Sequence, residues 1–310
     1  PASASEQPGP SIAYLALCQP LSSDILTEAL TAEHRLIYTA QGEIRDGGSR
    51  TLLQVWRDGR QDLTRWVYAP PGGDSMVVIQ RQDEQWQSEG DGTWLHQDLL
   101  PEMLIGFAER LELLISNYEI EPAGEKRIAG RQCWGYNILP KSSGNPSRLM
   151  FIDAETYLPL RTENVNGLGD LVSVSAHSEV EYHQSLDAGL FAAPTEGVRE
   201  DPVERTGPLN HRQAQTESGI PLSEPGYVPE GYRFAGAFIV RQGRSVAVHM
   251  QWFDGLSLIS LFKQRSAGGV SDDVWTRHHA NSVSWSSSGY SYQLMGDIIP
   301  AELSRMRDSL

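Results

Sequence analysis

Cysteine is nearly absent: Cys18 and Cys133 are the only two in 310 residues. No disulfide framework can organise a chain of this length on one pair, which fits either one periplasmic bridge or two buried thiols. Long apolar runs are also missing, and nothing approaches the roughly 18 residues of a membrane-spanning helix. Ile12–Cys18 is too short and has no basic flank, and Leu15-Ala16-Leu17 does not fit the small-residue pattern expected just before a lipidated cysteine. The start at Pro1 fits prior removal of a targeting segment. Basic excess is absent too: the net charge is −15 and the pI about 4.9. That balance excludes nucleic acid as a partner, because phosphates demand a basic surface.

Signatures of chemistry are lacking as well. There is no Gly-rich phosphate loop, no GxGxxG after a strand, no GxSxG elbow and no HExxH, so no cofactor and no enzyme class is indicated. The eight histidines show no ligand spacing. His278-His279 comes nearest, but adjacent side chains of an extended segment face opposite ways and rarely share a metal. The acidic pairs Asp272-Asp273 and Asp153/Glu155 sit in turn contexts. The expectation is a binding protein and not a catalyst.

What is present is strand and turn texture. Residues 1–22 read as a flexible lead, and Ser23–Glu33 has helical spacing. Short β-rich runs then alternate with Asp46-Gly47-Gly48, Asp58-Gly59 and Pro70-Pro71-Gly72-Gly73, turn chemistry that makes neighbouring strands antiparallel. Leu99–Tyr118 breaks the pattern with Met103, Phe107, Leu111 and Leu114 at helical spacing, predicting a helix that covers a sheet face. Residues 197–225 are rich in Pro, Gly and charge and read as a linker between a unit at 23–196 and a smaller one at 226–310. Charge supports the division: residues 221–310 hold eight acidic and eight basic side chains, so the whole negative excess lies earlier.

The tryptophans are the most informative residues. Trp56, Trp66, Trp86, Trp94 and Trp134 all fall on strands of the first unit, with Tyr38, Tyr68 and Phe107 near by pattern. Each taken singly reads as core. As a set they allow an aromatic-lined concavity, plugged by helix 99–118, that admits an acyl chain.

A family resemblance enters through particular residues. Ile128-Ala129-Gly130-Arg131, Cys133–Leu139, Arg148–Asp153, Glu155-Thr156 and Leu158-Pro159-Leu160-Arg161 resemble a recurrent segment of the sigma-E regulatory RseB/MucB family, within the LolA-like lipoprotein-carrier superfamily. Val77–Gln80 with Glu84-Gln85-Trp86 is similar to that family's turn-and-tryptophan strand, and Val228-Pro229-Glu230-Gly231-Tyr232 to the entry of its small domain. Gly296–Leu310 is similar to the helix that closes it. The resemblance implies an α+β fold, mainly antiparallel β: a LolA-like curved half-barrel with a helical plug, plus a smaller α/β C-terminal domain.

It also implies a periplasmic regulator, peripheral to the membrane at most, that binds the extracytoplasmic domain of a membrane-anchored anti-sigma factor and is relieved by lipid or lipopolysaccharide fragments. The candidate cavity residues are then Trp56, Trp66, Tyr68, Trp86, Trp94, Phe107 and Trp134. Arg241, Arg244, Lys263 and Arg265 form a group suited to acidic head groups or an acidic partner segment, or else scattered surface charge. The alternatives are a periplasmic lipid or lipoprotein carrier, and an interaction protein whose aromatics are all core.

Overall fold

A computed structural model of the chain describes residues 22–89, 91–266 and 281–310. Cys18, the Asp272-Asp273 and His278-His279 pairs and, but for Ser22, the expected lead lie outside them. Helix α1 (Ser22–Ala32) opens the described chain. Six strands follow in a meander: β1 (Ile37–Asp46), β2 (Ser49–Asp58), β3 (Leu63–Ala69), β4 (Met76–Arg81), β5 (Glu84–Ser88) and β6 (Trp94–Asp98). After α2 (Phe107–Asn117) come β7 (Tyr118–Ile128), β8 (Arg131–Pro140), β9 (Ser147–Asp153), β10 (Pro159–Val165) and β11 (Leu171–Tyr182). Together with β12 (Val198–Glu200) they make one twelve-stranded sheet in the order β12-β6-β5-β4-β3-β2-β1-β11-β10-β9-β8-β7.

Short turns make consecutive neighbours antiparallel, β1 and β11 close the two halves antiparallel across a long separation, and the last arrival, β12, lies parallel to β6. The sheet is open, with β7 and β12 at its edges. This is the α+β, mainly antiparallel, unclosed curved sheet that the resemblance implies. Its β8–β9 end is covered by α1, whose Ile25, Leu26 and Ala29 pack with Trp134, Tyr136, Ile138, Met150 and Ile152. Burying each large aliphatic side chain stabilises the fold by about 1.5–3 kcal/mol, so this cluster anchors α1. A second cluster joins Tyr38, Leu53 and Val55 to Phe151, Leu158 and Leu160.

The smaller sheet has the order β13-β14-β15-β16-β18-β17, from β13 (Val203–Leu209), β14 (Arg233–Gln242), β15 (Ser245–Phe253), β16 (Leu258–Arg265), β17 (Asn281–Ser287) and β18 (Tyr290–Gly296). Helices α3 (His211–Ser218) and α4 (Pro300–Arg307) cover one face. Ala214 of α3 and Leu303 and Met306 of α4 meet Ala237, Val248, Met250, Leu261 and Leu294 there. Pro300 opens α4 and Arg305 and Arg307 stand in its last turn, where cations suit the carbonyl end.

Two expectations change. The helix predicted over Leu99–Tyr118 forms only from Phe107, with Gly106 as its N-cap. Residues 99–106 are drawn out of helical register because their backbone is engaged elsewhere: Leu104 N–H donates to Ala235 O in β14. The stretch 197–225, read as a linker, is largely folded and carries β12, β13 and α3. Its polar composition reflects the exposed faces of these elements. Asn210 and Gln213 form a reciprocal capping box that starts α3, and Ile220 and Leu222 return to the core.

Candidate functional site

Strand register divides the aromatic residues. Trp56 pairs with Arg65, Arg65 with Ile79, Ile79 with Trp86 and Trp86 with His96, one continuous rung over β2 to β6. Trp66 belongs to the neighbouring rung, opposite Val55 and Val78, and Tyr68 follows it two residues on. Because side chains alternate strictly along a strand, Trp66 and Tyr68 face away from Trp56 and Trp86. Trp94, two residues before His96, shares the Trp86 side. Trp134 is buried beneath α1, and Phe107 is exposed at the start of α2. These residues therefore do not line one concavity. Trp56 borders a shallow hollow of about 210 Å³ among Thr39, Gln41, Gln54, Glu179 and Glu181. Trp86 stacks on His96, whose Nδ1 lies 3.0 Å from Glu200 and ties β12 to the sheet edge.

The basic group is divided too. Lys263 is buried, donates to Pro221 O and lies over the rings of Tyr290 and Tyr292. Arg241 donates to Glu217 O at the end of α3, while Arg244 and Arg265 are exposed.

A further concavity lies where the two sheets meet. A cleft of about 560 Å³ is walled on one side by residues 97–103 and on the other by the helix-free face of the small sheet. That face is built by register: Phe238 pairs with His249 and His249 with Phe262, and the next rung holds Gly236, Gln251 and Ser260. His249 is stacked on Phe262 at 4.2 Å between centroids and lies 3.0 Å from Ser260 Oγ. Gly236 has φ +140°, and a Cβ there would press on Pro208 and Leu104, so glycine lets the 99–106 segment approach. Gln251 lines the cleft at 7% exposure, and its Oε1 has no hydrogen-bond partner. An unmade acceptor of this kind costs about 1–3 kcal/mol. A ligand N–H placed in the cleft would recover that cost.

A polar joint beside α2 links the two sheets. Asn117 donates to Gly231 O and Asp254 O, Asn145 donates to Glu230 O, and Tyr118 donates to Asp254. Asp254 also accepts the amides of Leu256 and Ser257. Burial pushes its carboxyl above the ordinary range, and hydrogen bonds from Tyr118, the two amides and Tyr232 only partly oppose this. Burial and the neighbouring Asp254 together push Tyr118 far up, so its hydroxyl stays a donor. Gly255, with φ +105°, rests against the backbone of α2, where a Cβ would stand 2.2 Å from Leu114 N.

The residues that carried the family resemblance form a clasp. Arg131 pairs with Asp153 and Glu155, lies over the Tyr182 ring, and Tyr182 donates to Asp153. Burial raises the Asp153 carboxyl, but the hydrogen bonds from Arg131, Glu155 N–H and Tyr182 and the Arg131 charge outweigh it and hold it low. The Asp153/Glu155 pair is thus committed to an arginine. Cys133, beside it, is a free buried thiol pushed up to about 11 by burial. Among the described residues no group of three or more His, Cys, Asp or Glu could hold a metal, and no helix is long and apolar enough to cross a membrane.

Sequence reasoning missed the cleft residues Phe238, His249, Gln251 and Phe262. One signal was available: His249 and Gln251 interrupt an otherwise apolar β15 at every second position, which marks a face needing polar partners.

Comparison with known proteins gives a consistent picture. Residues 73–195 match the family model of the MucB/RseB N-terminal domain. The crystal structure of MucB in complex with MucA(peri) is similar at 16% identity and TM-score 0.63, covering 92% of this chain and 97% of that one. The Pseudomonas aeruginosa MucA/MucB complex is similar at 16% identity and TM-score 0.63, covering 92% and 96%. MucB alone is similar at 17% identity and TM-score 0.60, covering 93% and 96%. At such identities these likenesses are of fold. No curated protein sequence matches.

Proposed function

We propose that the chain belongs to the MucB/RseB family, whose N-terminal domain model matches residues 73–195, and that it is a periplasmic negative regulator of an envelope-stress sigma-factor pathway. It binds the extracytoplasmic part of a membrane-anchored anti-sigma factor. The observation that carries this reading is the two-sheet cleft with its buried, unpartnered Gln251 acceptor. A polypeptide offers the backbone N–H that such an acceptor lacks, together with apolar side chains for the walls supplied by Leu99, Leu100, Met103 and Phe238. The fold likeness extends over both sheets to structures whose own partner is MucA.

Lipid sensing belongs to the same proposal. An acyl chain competes for the same apolar walls, and it relieves regulation to the extent that it binds the partner-free form better. The carrier reading is weaker, because the aromatic residues that would line a carrier's cavity stand on different faces.

The test is calorimetry with the purified extracytoplasmic segment of the anti-sigma factor from the same genome. A saturable complex that Gln251→Leu weakens about tenfold, the loss of one good hydrogen bond, supports the reading. No complex with that segment overturns it.

A further inference from the structure

A second concavity, about 270 Å³, lies on the helix-covered side of the small sheet and plays no part in the cleft. Its walls include the side chains of Tyr232, Phe234 and Trp252, with Glu224 and His211 beside them. Phe234 and Trp252 meet edge to face at 5.8 Å. The Tyr232 hydroxyl is shared with Ser257 Oγ at 2.6 Å, so its ring is what it can offer the cavity. Glu224 is exposed and makes no ion pair among the described residues. His211 Nε2 is buried with no hydrogen-bond partner.

These features specify a ligand. Aromatic rings around a cavity attract a cation through their negative faces. A carboxylate reinforces the charge, and an unpartnered imidazole nitrogen accepts an N–H when the ring proton sits on the other nitrogen. Glu224 accepts, and so does His211 Nε2 in the tautomer protonated at Nδ1, so the group that complements these acceptors and the aromatic walls is planar, positively charged and rich in donors. A guanidinium meets all three requirements, whereas an ammonium is compact and more strongly hydrated.

We propose that the pocket formed by His211, Glu224, Tyr232, Phe234 and Trp252 receives an arginine side chain of the bound polypeptide. The proposal rests on the reading above that the chain binds a polypeptide. It adds a second point of contact on the opposite face of the small sheet from the cleft, so one partner segment must pass round a sheet edge to engage both.

The experiment titrates the full chain with Nα-acetyl-arginine methylamide and with its neutral isostere Nα-acetyl-citrulline methylamide, following side-chain NMR signals. Saturable shifts confined to Tyr232, Phe234 and Trp252 are expected with the arginine compound, and binding about two- to fivefold weaker in Glu224→Gln, the weight of one exposed charge pair. Glu224 is exposed, so this variant keeps its thermal midpoint. Absence of saturable shifts, an equal response to citrulline, or unchanged affinity in Glu224→Gln overturns the proposal. If the arginine compound fails while the anti-sigma segment still binds, this pocket assignment falls and the reading of function stands. If the compound saturates the pocket and the segment does not bind, the guanidinium site stands and the reading of the partner falls.

Discussion

Tyr118 Oη, from the first residue of β7, donates a 2.5 Å hydrogen bond to Asp254 Oδ2 in the turn after β15, and so joins the two sheets through one buried pair. Removing the donor leaves Asp254 with fewer partners in the same burial. Tyr118→Phe is therefore expected to lower unfolding free energy by about 1–3 kcal/mol, as when a buried polar group loses a partner. Urea denaturation measures it, and a double-mutant cycle with Asp254→Asn separates the pair from its surroundings.

The same carboxylate gives the joint a pH dependence. Asp254 titrates higher in the folded state than in the unfolded chain. Its contribution is therefore complete below the ordinary aspartate range and is lost as pH rises through the raised value. Asp153 is opposite: its folded value is lowered, so its contribution is complete above the ordinary range and is lost as pH falls through the depressed value. Urea midpoints across pH should show both limbs. Asp254→Asn should flatten the one on the alkaline side, and Asp153→Asn the one on the acid side.

Gly255→Ala tests the close approach of the second sheet to α2. A Cβ at φ +105° is strained, and here it would also collide with the backbone of Leu114. The expected cost is about 1–3 kcal/mol for the backbone conformation alone. Relief comes by opening the joint, so small-angle scattering should report a larger radius of gyration and proteases should reach Asn117 and Asn145.

Much of this architecture was legible in the sequence, and the limits have physical causes. Turns such as Asp46-Gly47-Gly48 and Asp58-Gly59 announced the meander, and the Ala129-Gly130-Arg131 and Asp153-Ala154-Glu155-Thr156 segments pointed to the family. The division of the tryptophans was not legible, because a face is assigned by register between strands and composition carries no register. Trp56 and Trp66 look alike in sequence, yet they occupy adjacent rungs and opposite faces. Helix α2 came out shorter than its periodicity because Leu104 bonds to β14, a partner more than a hundred residues away.

The aromatic set supplies a direct contrast. Trp134 lies under α1 among Ile25, Leu26 and Ile152, and Trp134→Ala should cost about 3–5 kcal/mol through the cavity it leaves. Phe107 is 41% exposed, and Phe107→Ala should stay within about 0.5 kcal/mol. Thermal midpoints of the two variants measured side by side decide whether these residues act as a core or as a surface.

Gln251 offers the sharpest opposition between stability and binding. In the free chain its Oε1 is buried without a partner, so the wild type carries a penalty that an apolar side chain of similar size would not. Gln251→Leu is expected to stabilise the free protein by up to about 1–3 kcal/mol. The same change should weaken the anti-sigma segment, because the acceptor that waits for its N–H is gone. A residue that merely packs would move both quantities down together. A gain in urea midpoint alongside a faster dissociation rate in surface plasmon resonance would mark Gln251 as kept for its ligand. A variant less stable than the wild type, with unchanged dissociation, would return it to the core.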